Sequence, residues 1–176
     1  MRIEPSRADE TDRDDPVVQA VLKRRGGTLI ELDRALLKSY PLASGWNTFI
    51  GQVRNGLALD GRYRELAMCA VAVINGAEYE YVQHAPHFLK AGGTQAQIDA
   101  VRDPDAAAKN EALFDAADRA VLALTIAMTR DVKVSDAVYA AVKSALPDEQ
   151  QVVELVGVIA AYNMVSRFLV ALEIHA

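Results

Sequence analysis

Glu80 and His84 stand four residues apart in the stretch Asn75-Gly76-Ala77-Glu78-Tyr79-Glu80-Tyr81-Val82-Gln83-His84, and Glu65 precedes them in Arg62-Tyr63-Arg64-Glu65-Leu66-Ala67. At i and i+4 a carboxylate and an imidazole share one face of a helix. Together they make a usable acid–base couple. The carboxylate orients and charges the ring, and burial moves both groups toward a neutral operating pH. The same spacing equally describes an ordinary surface pair worth about 0.2–0.5 kcal/mol, so the two residues alone leave both readings open. Glu65 belongs to the preceding helix and reaches that face only if the two helices pack antiparallel.

Other side chains carry groups capable of chemistry. Cys69 follows Glu65 by four residues, on the same side of its helix, and is the sole cysteine. A reactive thiol needs a depressed pKa and access to solvent. Flanked by Met68, Ala70 and Val71, this one reads more readily as an inert core residue. Glu80, His84 and His87 offer three metal-type ligands on adjoining turns, but helical di-iron sites repeat Glu-x-x-His on two helices. The residue three before His84 is Tyr81, and no second such motif occurs. Neither a metal nor a cofactor is expected. Asn163 and Arg167, again at i and i+4, would hold a substrate carboxylate or form a salt bridge between helices or subunits. Trp46, Phe49, Tyr79, Tyr81 and Phe88 would wall a ring-sized pocket, or serve as plain core.

These residues need elements to position them. Apolar residues recur at helical spacing almost throughout, and no strand-like alternation of any length is present, so the expected fold is all-α. Residues 1–27 read as a polar N-terminal arm, and 28–176 as one helical domain. Thr28 is expected to cap a helix through Leu29, Leu32, Leu36 and Leu37. Asp60 is expected to cap a central helix from Gly61 to Ile74, stopped at Asn75-Gly76. Ala77 to Ala91 forms the next helix, with a kink expected at Pro86. Thr94 with Gln97 is a capping box, and a polar loop through Pro104 and Asn110 follows. The last helix, to about His175, is apolar nearly all round over Val152–Ala161, which requires burial on more than one side. A subunit interface would supply the second side.

The composition narrows the function classes. A chain of 176 residues suits a single soluble domain with its own core. The formal net charge of −5 and only a brief basic cluster at Lys23, Arg24 and Arg25 argue against nucleic acid. One cysteine excludes a disulfide framework and two-cysteine redox chemistry, and fits a reducing compartment. The longest uninterrupted apolar run, Leu66–Ile74, falls well short of the ~20 residues that span a bilayer. No membrane association is expected, and the cytoplasm is the expected location.

The stretch Arg64-Glu65-Leu66-Ala67 … Asn75 to His84 resembles the core signature of the carboxymuconolactone decarboxylase and alkylhydroperoxidase D superfamily. The likeness continues in Leu89-Lys90-Ala91-Gly92, Leu122-Ala123-Leu124-Thr125 and Tyr162-Asn163-Met164-Val165-Ser166-Arg167-Phe168. The resemblance implies an all-helical subunit that assembles into dimers, trimers or hexamers. The family's peroxidase branch carries a C-x-x-C pair, with an upstream glutamate and a downstream histidine as proton relay. Here the relay positions hold Glu65 and His84, while the cysteine positions hold Ala77 and Glu80. The expectation is therefore a non-redox enzyme of the decarboxylase type acting on a small unsaturated acid or lactone. His84 would transfer the proton, Glu65 would orient or recharge it, and Glu80 would be the local carboxylate partner. Cys69, Tyr81, His87, Phe88, Asn163 and Arg167 are candidate substrate contacts. The alternatives are hydroperoxide reduction through Cys69 with an external thiol, and a catalytically inactive helical oligomer that binds a small molecule.

Overall fold

Seven consecutive residues, Leu66 to Ala72, are fully buried, so the helix that carries them must be enclosed by others. The computed structural model describes residues 1–6 and 12–175, and every regular element among them is helical. In chain order these are α1 (Pro16–Arg25), α2 (Glu31–Leu36), α3 (Tyr40–Asn55), α4 (Gly61–Ile74) and α5 (Glu78–Lys90), then α6 (Gln95–Ala100), α7 (Pro104–Ala107), α8 (Ala116–Arg130), α9 (Asp136–Ala145) and α10 (Glu149–Leu172). They form two compact units, Met1–Gly56 with Ala171–Ala176, and Leu57–Val170. The division lies after Gly56.

In the first unit the segment expected to be a polar arm contains a helix. Asp15 caps α1 by accepting from Val17 N at 2.8 Å and Val18 N at 3.4 Å. Pro16 occupies the first turn, and Gly26 ends the helix with φ of 76°. Proline tolerates that start and glycine that left-handed stop. Val18, Val21 and Leu22 are buried. Three apolar residues at i, i+3 and i+4 make a stripe narrow enough to hide in a polar sequence. Residues 7–11 of the expected arm lie outside the described residues. Thr28 does not cap the next helix. Asp33, itself buried, accepts from Ile30 N at 3.1 Å and pairs with Arg25 at 2.9 Å and Arg24 at 3.4 Å, which sets the start of α2 at Glu31.

The second unit is built round α4. Its first turn is fixed by Asp60, which accepts from Arg62 N at 2.7 Å, and it packs most extensively on α5 and α8. Asn75 closes α4, and Gly76, at φ of 67°, turns the chain into α5. Position 76 thus needs a residue at ease in the left-handed region. α5 continues through Pro86 to Lys90. The capping box at Thr94 forms as expected, with Gln97 N donating to Thr94 Oγ1 at 3.2 Å and Thr94 N to Gln97 Oε1 at 3.0 Å. The expected polar loop that follows contains α7, capped by Asp103.

α10 is long and apolar enough to cross a membrane by length and composition alone. Val152, Leu155, Val158, Ile159, Tyr162, Val165 and Leu169 are buried, which a helix of the core explains as well. Val153, Met164 and Val170 are left exposed.

Candidate functional site

α4 delivers Glu65 and α5 delivers His84 to one point. The α4–α5 turn reverses the chain, so the start of α4 meets the later turns of α5. His84 Nδ1 lies 2.7 Å from Glu65 Oε2. Both side chains are buried, at 4% and 5% exposure. Burial alone would push the Glu65 carboxyl up. The hydrogen bond with His84, together with the charges of His84, Arg64 and His87, outweighs it and holds the group below its ordinary value. Glu65 is thus favoured as a carboxylate that accepts from the ring, which fixes Nδ1 as the protonated nitrogen facing it. Arg64 Nε donates to the other oxygen, Oε1, at 3.3 Å. Tyr162 on α10 meets the imidazole in a T-shaped contact, with ring centroids 4.9 Å apart and planes at 86°.

Glu80 shares the helix face of His84, but its hydrogen bonds run elsewhere. Ser166 Oγ on α10 lies 3.1 Å from Glu80 Oε1, 3.0 Å from Oε2 and 2.9 Å from the carbonyl oxygen of Tyr162. A hydroxyl has one hydrogen for these three acceptors. A protonated Glu80 resolves the count by donating to Ser166 Oγ, whose own hydrogen then goes to the Tyr162 carbonyl. Burial pushes the Glu80 carboxyl well up, opposed only by the Ser166 bond, in agreement with that arrangement. The expectation that Glu80 is the histidine's local carboxylate therefore gives way to a division of labour. Glu65 is the charged partner of the ring, and Glu80 is a buried acid held by a hydroxyl on another helix.

The remaining sequence candidates separate. Cys69 is fully buried, and desolvation, reinforced by the nearby charge of Glu65, pushes its thiol far up. That environment opposes a nucleophilic thiolate. Tyr81 donates to the Ile98 carbonyl at 2.8 Å, while the Arg102 guanidinium stacks 3.5 Å above its ring and pairs with Glu78 at 2.5 and 2.8 Å. These contacts commit Tyr81 to the seam between α5 and α6. Phe88 is fully buried, and a Cβ at Gly93 would come within 2.2 Å of its ring, so its ring packs against the turn after α5. His87 is exposed, one turn beyond His84, with ring centroids 6.1 Å apart.

Asn163 and Arg167 do meet, as their spacing requires. Arg167 donates to Asn163 Oδ1 at 2.5 Å and to its carbonyl at 3.0 Å. Asn163 Nδ2 donates to Thr129 Oγ1 on α8, and Asn75 Nδ2 donates to Asn163 Oδ1, each at 3.0 Å. This cluster ties the α4–α5 turn to α10 and α8. Among the described residues, no group of three metal-type side chains converges.

Ser166, Tyr162 and Arg64 carry no assigned role on sequence grounds. A lone hydroxyl four residues after a tyrosine in an apolar helix was the available signal for the first two, and Arg64 adjoins Glu65 directly.

The chain is similar to known proteins in both sequence and fold. Residues 40–117 match the model of the carboxymuconolactone decarboxylase family, a span that includes Glu65, Ala77, Glu80 and His84. No curated protein matches the chain by sequence. Among solved structures, an uncharacterized peroxidase-related protein from Silicibacter sp. TM1040 superposes with a TM-score of 0.75 at 18% identity, covering 97% of this chain and 91% of its own. A cysteine-to-alanine variant of the debrominase Bmp8, in complex with 2,3,4-tribromopyrrole, gives 0.77 at 14% identity, covering 96% and 88%. An Agrobacterium tumefaciens protein of unknown function, named as an antioxidant-defence AhpD candidate, gives 0.70 at 17% identity, covering 84% and 97%. At such identities the superpositions speak for the fold. Residues 40–117, which hold Glu65 and His84, are thus similar to the carboxymuconolactone decarboxylase family, on an all-helical fold shared with these structures, and the sequence has no C-x-x-C pair.

Proposed function

We propose that the chain is a non-redox acid–base enzyme of the carboxymuconolactone decarboxylase type, acting on a small unsaturated organic acid or lactone. The observation that carries the proposal is the buried 2.7 Å contact of His84 with Glu65, retained while the cysteine positions hold Ala77 and Glu80. Loss of carbon dioxide from such an acid leaves a dienolate that must gain a proton. His84 delivers it, and Glu65 steadies the imidazolium before transfer and sets the tautomer after it. A positioned acid of this kind contributes about 10²–10⁴-fold. The debrominase neighbour was solved with 2,3,4-tribromopyrrole, a small unsaturated ring compound.

The test is turnover of a panel of unsaturated acids and lactones by the wild type, His84→Ala and Glu65→Gln. Loss of turnover in both variants is expected; turnover equal to wild type in both would remove the assignment. Single-cysteine peroxidase chemistry is disfavoured by the burial of Cys69 and its raised thiol pKa. Self-association is the second part of the proposal. It is supported by α10, an apolar helix whose best window is only 44% buried in the isolated chain. A monomer at micromolar concentration in sedimentation would refute it.

A further inference from the structure

We propose that His87 is a surface proton relay for the buried Glu65–His84 pair, an inference that rests on the acid–base reading of that pair. Each turnover of a proton-transfer enzyme takes a proton from His84, which must be returned from solvent. Glu65 and His84 are 5% and 4% exposed, so bulk water has little direct access to either. On the inner side, Cys69 is sealed at 0% exposure.

His87 is placed to close that gap. It lies at i+3 from His84 on α5, on the adjoining turn of the same stripe, and is exposed. Ring centroids 6.1 Å apart, with planes tilted by 47°, keep the two imidazoles beyond direct hydrogen-bond reach, at a separation of the kind a bridging water spans. The charge of His87 is also felt at Glu65, so the surface ring is electrostatically coupled to the pair.

The other groups around the pair do not serve this purpose. Arg64, bonded to Glu65 at 3.3 Å, keeps its proton, because a guanidinium does not deprotonate in proteins. Glu80 is turned to Ser166 and is itself 2% exposed. Imidazole, by contrast, takes up and releases protons near neutral pH. In the step proposed, the His87 imidazolium passes one proton through water to the His84–Glu65 pair and regains one from bulk solvent. No electrons move and no covalent bond to carbon forms or breaks. His87 acts through His84 and touches no substrate.

The experiment is nitrogen-15 NMR of the histidine rings in the full chain without substrate, measuring exchange of the His84 ring N–H with water in wild type and His87→Gln. Exchange is expected to slow roughly tenfold in the variant, less than the hundredfold or more of a group acting on substrate itself. Free imidazole added to the buffer is expected to restore it. An unchanged exchange rate overturns the proposal. So does a slowing that imidazole fails to reverse, because that would reflect a structural effect of the substitution. The readout needs no turnover, so failure of the enzyme reading in the substrate panel stays distinct from failure of the relay.

Discussion

Glu65 Oε2 accepts from His84 Nδ1 at 2.7 Å across the α4–α5 interface, while Glu80, one helical turn before His84, is bound to Ser166 on α10. Two buried carboxyls in one site are thus driven in opposite directions. One is drawn below its ordinary pKa by a ring and an arginine, the other pushed above it by desolvation. Separation of this kind lets neighbouring carboxyls be a charged orienter and a neutral acid at the same pH.

For Glu65 the folded-state pKa is depressed, so its contribution to stability is present above the ordinary glutamate value and is lost as pH falls through the folded one. Glu65→Gln is expected to flatten the acid limb of stability against pH, measured as urea midpoints. An acid limb identical to wild type would show that the His84 bond adds no such stabilisation.

Glu80 carries the opposite sign. Its folded-state pKa is raised, so the stability it contributes is fully present below the unfolded value and falls away as pH rises through the folded one. Glu80→Gln keeps a hydrogen-bonding partner for Ser166 and cannot ionise. The variant is expected to melt increasingly above wild type as pH is raised. A constant difference across the range would mean that Glu80 is already ionised in the folded protein.

Cys69 is expected to be silent toward a thiol reagent in the native protein and to react only on unfolding. Cys69→Ala should retain turnover. Cys69→Ser buries a hydroxyl among apolar neighbours, at a cost of about 1–3 kcal/mol unless it finds a partner. Rapid native-state labelling, or loss of turnover in Cys69→Ala, would revive the thiol chemistry rejected above.

Asn163→Ala removes the shared partner of Asn75, Thr129 and Arg167. A cost of about 1–3 kcal/mol is expected from the polar groups left behind, against about 0.5 kcal/mol or less for the exposed Arg167→Ala. Chemical denaturation of the two variants checks the ordering. Equal effects would show that the cluster does not hold the α4–α5 turn to α10.

The parts of the fold legible in the sequence were those set by local rules. Asp60 and Thr94 announce their helices through capping chemistry, and the Leu66–Ala72 run announces a buried one. α1 was missed because its buried stripe is three residues among charged neighbours. The start of α2 was missed because Asp33, inside the helix, sets it in place of a residue ahead of it. Glu65 and His84 were legible as candidates, and their contact depended on the turn at Asn75-Gly76. The attachment of Glu80 was not legible, because Ser166 lies 86 positions away and no local pattern links residues at that distance.

The most direct test of the Glu65–His84 dyad is deuterium incorporation at carbon, read by NMR, when unsaturated acids and lactones are incubated in heavy water with wild type, His84→Gln or Glu65→Gln. Incorporation by the wild type is expected on at least one compound, falling by about 10²–10⁴-fold in His84→Gln and substantially in Glu65→Gln. Equal incorporation in all three proteins, or none by the wild type on any compound, would contradict it.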